Sequence, residues 1–249
     1  LGLGFLFYYL FGYEAIIFAL VITYVLHYRR VIVIFKEMRL NLQLIKDRKG
    51  FIINNYFSSS LLLGAIGTGH IDKIIITPIL GFTLLGNYSL ALQIIGIMMM
   101  FTTIFYKYVL TQDSSNINVK NLKILAVIIS IIMAVVGITL GPILIDTYFP
   151  KYVDTKIAIQ IMSINVIPAT IGQIFQSKLL GTEKSKPVLI GTILAISALT
   201  ISMIILGITL GMIGLAYSLL ISSIIKTVYF GYVSRNNIQV RNQSKRENK

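Results

Sequence analysis

An acid and a base stand side by side, Asp72 and Lys73, in an apolar run that continues through Thr77 and Pro78 to Gly81. A second apolar run opens with Gly86, Asn87, Tyr88, Ser89 and Ala91. Each charge inside a membrane span costs about 2.5–3.5 kcal/mol on insertion scales, so such charges usually mark a cavity or pathway. The chemistry this pair supports is binding, with an ammonium for an anionic group and a carboxylate to hold it. Upstream, Asn54, Ser58, Ala65, Thr68 and Asp72 project within about 40° of one another on a helix, interrupted by Leu61. Lys73 and Asn55 share an adjacent direction. A polar stripe ending in an ion pair is expected of a helix facing a wet interior. Helix–helix packing is the competing explanation, since small and polar residues also act as glue.

Further polar groups follow. Gln93 lies in the outer half of the next span, with Thr102, Thr103 and Tyr106 further in. Ser163, Thr170 and Ser177 recur at seven-residue spacing, Asn165, Gln173 and Gln176 add amides, and Pro168 predicts a kink. Kinked helices with freed backbone groups often line transport paths, and packing is the alternative role for each residue taken singly. Met98 to Met100 read as apolar filler, His70 as a satisfied interfacial residue and Glu14 as a solvated turn residue. Walker A, GxSxG and HExxH patterns are missing. The chain has no cysteine, which excludes disulfides, thiol catalysis and Cys-based metal sites. Neither an enzyme nor a bound cofactor or metal is expected.

The elements that must position these groups are membrane helices. Mean hydropathy is +0.83 and 56% of residues are hydrophobic, above the ~45–50% of soluble domains. Windows such as 124–145 and 188–210 carry no charge and are long enough to cross a bilayer. The expected fold class is all-α, a polytopic transmembrane helical bundle. Eight apolar pieces are read, seven of them complete crossings: a stub at 1–10, then 15–34, 51–80, 88–110, 122–145, 157–180, 188–210 and 212–233. Turns are expected at Gly12–Glu14 and over 81–87, with kink points at Gly64, Gly67, Gly69 and Pro78. Trp is absent, so the 14 Tyr supply any interfacial aromatic belt.

The net charge of +13 would suggest nucleic acid in a soluble protein. Here the charge falls in loops, and it alternates. Nineteen of the 22 Lys and Arg, Lys226 and the tail among them, sort to one side of the membrane. Lys151 and Lys156 sort to the other, offset by Asp146 and Asp154, and Lys73 stays within a span. Such a bias places the basic side, and with it the carboxyl terminus, in the cytoplasm. In 35–49, Met38, Leu42 and Ile45 line one face among Lys36, Arg39 and Lys46. That pattern suits a basic amphipathic helix on the membrane surface or a solvated linker. An internal echo also appears, with Gly12-x-x-Ala15-x-x-Phe18-Ala19-Leu20 matching Gly211-x-x-Gly214-x-x-Tyr217-Ser218-Leu219. It reads either as a transporter repeat or as close packing at helix starts.

The pattern Asp72-Lys73-x3-Thr77-Pro78-x-Leu80-Gly81-x4-Gly86-x-Tyr88-Ser89-x-Ala91 resembles the polysaccharide and oligosaccharide flippases of the multidrug/oligosaccharidyl-lipid/polysaccharide exporter superfamily. A second region, from Tyr148-Phe149-Pro150-Lys151-Tyr152 through Leu179-Leu180-Gly181-Thr182-Glu183-Lys184 to Gly211-Met212-Ile213-Gly214, is similar to that family's carboxyl-terminal part. The resemblance implies a two-lobed transporter that moves lipid-linked oligosaccharide or polysaccharide units across the cytoplasmic membrane by alternating access. On that reading residues 1–34 end a first lobe and 35–50 are the cytoplasmic linker. Residues 51–233 form a six-helix second lobe and 234–249 a basic tail. The chain opens at Leu1 inside an apolar run, so an amino-terminal lobe is expected to precede it. Lys73 would contact a diphosphate, held by Asp72, while Asn54, Gln93, Asn165, Gln173 and Gln176 would meet sugar hydroxyls. The expected partners are the lipid-linked glycan, membrane lipids and the other lobe, with no nucleic acid. The alternatives are a cation-coupled antiporter of the same superfamily, for which Asp72 is the one intramembrane carboxylate, and a noncatalytic scaffold in glycan assembly.

Overall fold

The computed structural model describes residues 71–247, apart from 116, 118 and 183, together with isolated positions between Phe7 and Ile32. The chain divides into two compact units, Leu1–Gly50 and Phe51–Lys249. In the first unit the described positions are helical except Gly12, whose φ is +80°. The linker over 35–50, the stripe from Asn54 to Thr68, Glu14 and His70 lie outside the described residues.

The second unit is all-α among the described residues. Its helices are α1 (Ile71–Ser114), α2 (Lys120–Tyr148), α3 (Thr155–Ile164), α4 (Val166–Gly181) and α5 (Ser185–Glu247), with a 3-10 turn at Pro150–Tyr152. Among the described residues, four stretches are long and apolar enough to cross a membrane: Ile76–Ser114, Lys120–Tyr148, Thr155–Gly181 and Ser185–Arg235. The chain is a polytopic helical membrane protein.

The last stretch is 51 residues long, about 76 Å as one helix, against a hydrocarbon core of about 30 Å. Gly211 resolves the mismatch. At φ 58°, ψ −129° it leaves the helical region and turns the chain back on itself. The contacts record the reversal: Ser222 Oγ donates to the Ala195 carbonyl at 2.7 Å, Gly191 faces Phe230, and Gly214 sits against the Leu206 backbone. Residue numbers in each pair sum to nearly the same value, the signature of two antiparallel arms about Gly211. A side chain at φ +58° is strained, so glycine makes the joint without a loop.

Gly81, at φ 82° and ψ 171°, does the same for α1. The sequence reading placed a turn over 81–87 and began the next span at Tyr88. Instead the reversal takes a single residue and helix resumes at once, so Asn87 is buried in a helix rather than exposed in a turn. The stretch read as one span over 157–180 is interrupted at Asn165, between α3 and α4. Pro168 accounts for this. It has no N–H to bond the Ile164 carbonyl, and the Asn165 N–H reaches the Met162 carbonyl instead at 3.0 Å.

Small residues face inward and large aliphatic residues face outward. On α2 the buried positions are Ala126, Ser130, Ala134, Gly137, Gly141 and Ile145, whereas Ile128, Ile132, Val135 and Ile143 are exposed. Gly137 lies against Ser163 and Gly141 against Ile159. This is the packing of membrane helices, which gain little from burying apolar surface and approach through small residues. Tyr88, Ile95, Ile145, Ile159, Met162, Met203 and Leu215 form the main core. A second core of Leu179, Val188 and Phe230 joins α4 to both arms of α5.

Candidate functional site

The Gly81 reversal lays the short arm of α1 (71–80) against its long arm (82–114) and so brings Asp72 opposite Tyr88. The fully buried Tyr88 donates its hydroxyl to Asp72 Oδ2 at 2.8 Å. Asp72 Oδ1 accepts the Lys73 backbone N–H at 2.8 Å. The expected Asp72–Lys73 ion pair is not formed: both ion pairs among the described residues join other side chains. Adjacent helical residues point about 100° apart and do not face each other. Asp72 therefore holds the α1 hairpin, and Lys73, half-buried at its edge, is not held by it. Tyr88→Phe leaves a buried carboxylate oxygen without its donor and is expected to destabilise the protein by about 1–3 kcal/mol. A thermal melt in detergent would measure it, and an unchanged melting temperature would remove this bond from the account.

Asn165, Gln173 and Gln176 share a face of α4 and its junction, all half-buried and within about 80° of one another in projection. Asn165 Oδ1 and Gln173 Oε1 are buried and have no hydrogen-bond partner. By contrast, the hydroxyls at seven-residue spacing are already satisfied. Ser163 donates to the Ile159 carbonyl, Thr170 to the Val166 carbonyl and Ser177 to Asp113 Oδ2. Thr102 and Thr103 both donate to the Met99 carbonyl. Local back-bonding of this kind lets a hydroxyl sit in a span without an external partner. Gln93 lies on the exposed face of α1 with Ile97, Met100 and Ile104, away from the α4 amides. Asn54 lies outside the described residues.

The structure adds four features to the sequence reading. At the end of the bundle opposite the two glycine reversals, Asp113 accepts from Lys123 Nζ at 2.7 Å and from Ser177 Oγ at 2.6 Å, tying α1, α2 and α4 together. At the reversal end, Asp146 pairs with Lys156. There Leu84, Asn87, Asp154, Lys156, Leu210 and Met212 line an open pocket of about 530 Å³ that includes none of the predicted site residues. Lastly, Lys226, a loop charge by the sequence tally, lies inside the second arm of α5, half-buried, with its Nζ 5.6 Å from the Phe230 ring centroid. Its sequence signal was plain: one lysine in the middle of the apolar run 212–233.

The chemistry this arrangement supports is binding. It offers amide acceptors without donors, an inward-facing ammonium and one carboxylate committed to a tyrosine. Comparison with known protein families, curated proteins and solved structures finds no match to this chain.

Proposed function

We propose that this chain is the second lobe of a flippase for lipid-linked oligosaccharide or polysaccharide units, working by alternating access in the cytoplasmic membrane. Its carboxyl-terminal tail is in the cytoplasm. One observation carries the reading beyond the sequence resemblance. Two amide oxygens, Asn165 Oδ1 and Gln173 Oε1, are buried within a membrane span without a donor. Each such group costs about 1–3 kcal/mol, and most buried polar atoms in proteins avoid that cost by pairing. A hydroxyl-rich head group passing the α4 face would supply the donors, in keeping with a sugar as cargo. The lipid tail can remain in the bilayer throughout.

Translocation of lipid-linked oligosaccharide in vesicles carrying the whole polypeptide tests this. Gln173→Leu removes the unpaired amide, so the melting temperature should hold or rise while translocation falls about tenfold or more. Lys73→Ala should also lower translocation with membrane insertion intact. Unchanged transport in Gln173→Leu would remove the amide face from the pathway. No transport by the wild type would shift the reading to an antiporter or a scaffold.

A further inference from the structure

The position of Lys226 is hard to reconcile with a structural role. It lies 15 positions beyond the Gly211 reversal, about 22 Å along the helix, and Arg235 closes the apolar stretch nine positions later. Both distances place its backbone within the thickness of a hydrocarbon core. A lysine near a membrane edge commonly runs its stem along the lipid face to reach water. In projection, however, Lys226 is opposite the exposed Tyr217, Ile221, Val228 and Tyr232, on the side of the fully buried Leu215 and Phe230.

Among the described residues no carboxylate serves it. Asp113 is held by Lys123 and Ser177, Asp146 by Lys156, and Asp72 by Tyr88. Asp154 lines the pocket at the far end of the bundle. The Lys226 ammonium lies over the Phe230 ring instead. A cation–π contact is worth about 0.5–2 kcal/mol, too little to offset taking an ammonium into the bundle.

The packing of α4 on α5 brings the amide face alongside. Thr227 donates to the Pro168 carbonyl at 2.6 Å, Gly172 meets Thr227, and Gly231 meets Phe175. α4 and the second arm of α5 run in the same direction across this seam, in a register that sets Lys226 at a height between Asn165 and Gln173. Projected from the seam, Asn165, Gln173 and Gln176 on one helix and Lys226 on the other turn to the same side.

We propose that Lys226 and the amides of Asn165, Gln173 and Gln176 form a site inside the bundle for a phosphate-bearing head group. The ammonium takes the phosphate, and the unpaired amide oxygens take neighbouring hydroxyls. The inference rests on the transport reading for its substrate class, but it assigns the anion to Lys226, which the resemblance to flippases does not single out. Removing a charge-assisted contact to a phosphate typically weakens binding by about tenfold or more.

The test is a native mass spectrometry titration of the whole polypeptide in detergent with farnesyl diphosphate, farnesol or phosphatidylglycerol. Wild type and Lys226→Arg should bind the diphosphate at least about tenfold more tightly than Lys226→Met, and farnesol should not distinguish the three. If phosphatidylglycerol shows the same dependence on residue 226, the phosphate belongs to bulk lipid; if it does not, the phosphate belongs to the carried substrate. A melting curve of Lys226→Met at or above that of the wild type would confirm that the variant is folded. Equal diphosphate binding by wild type and Lys226→Met overturns the site, and so does a wild type that binds no diphosphate. Diphosphate binding through Lys226 without oligosaccharide translocation would keep the site and defeat the transport reading. Translocation with binding independent of Lys226 would do the reverse.

Discussion

Gly214→Ala is expected to unfold the α5 hairpin, destabilising the protein by about 3 kcal/mol or more. Three residues past the Gly211 reversal, the backbone of Gly214 lies directly against the carbonyl of Leu206, and a methyl group there would overlap that oxygen and its carbon. The obstacle is main chain, so no rotamer change relieves it, and overpacking where neighbours can yield already costs about 1–3 kcal/mol. The arms would have to separate. That would part the close contact between Gly191 and Phe230 and the Ser222 hydrogen bond to the Ala195 carbonyl. Gly96→Ala is the control: nothing stands within 4 Å of the added methyl, and alanine in a helix interior should add about 0.5–1 kcal/mol. Thermal melts and gel filtration in detergent would compare the two. Should Gly214→Ala melt with the wild type, the close antiparallel approach of the arms is wrong.

The same hairpin shows what could be read in the sequence. Uncharged runs of more than 20 residues announce crossings because a bilayer admits little else, and a glycine between two such runs marks a reversal. What could not be read is how tight the reversals are. At Gly81 and Gly211 one positive-φ residue does the work of a loop, and no propensity distinguishes that from a longer turn at 81–87. The polar positions divide along a physical line. Ser163 and Thr170 look like pathway residues in the sequence, but a hydroxyl can bond the carbonyl one turn back on its own helix. An amide in a span must find its partner elsewhere, and Asn165 and Gln173 have none. The place of Lys226 in the apolar run 212–233 marks it as intramembrane, but its facing depends on how the helices pack and could not be read. Asp72 and Lys73 are neighbours in the sequence, which suggested a pair, but the helix turns them apart.

The Asp113 junction carries the second large effect. Asp113 and Lys123 flank the connection between α1 and α2, ten positions apart, and Ser177 reaches the same carboxylate from α4. Both charged side chains are mostly shielded, at 11% and 23% relative exposure, so water only partly screens the pair. Gly181 lets the end of α4 approach, since a methyl there would stand 2.8 Å from the Asp113 carbonyl carbon. Asp113→Ala strands the Lys123 ammonium and the Ser177 hydroxyl together, and it should destabilise the bundle by about 2–3 kcal/mol, below the 3–5 kcal/mol of a fully buried pair. Lys123→Met alone should lose less, because Asp113 keeps the Ser177 hydroxyl. The double variant should recover part of the loss, because most of the damage from one deletion is the uncompensated partner left behind. A double-mutant cycle of melting free energies gives the coupling directly. A coupling near zero would reduce the pair to an exposed surface contact of the kind worth about 0–1 kcal/mol. The Ser177 hydrogen bond to Asp113 would then be the polar tie that remains in this junction, between α1 and α4.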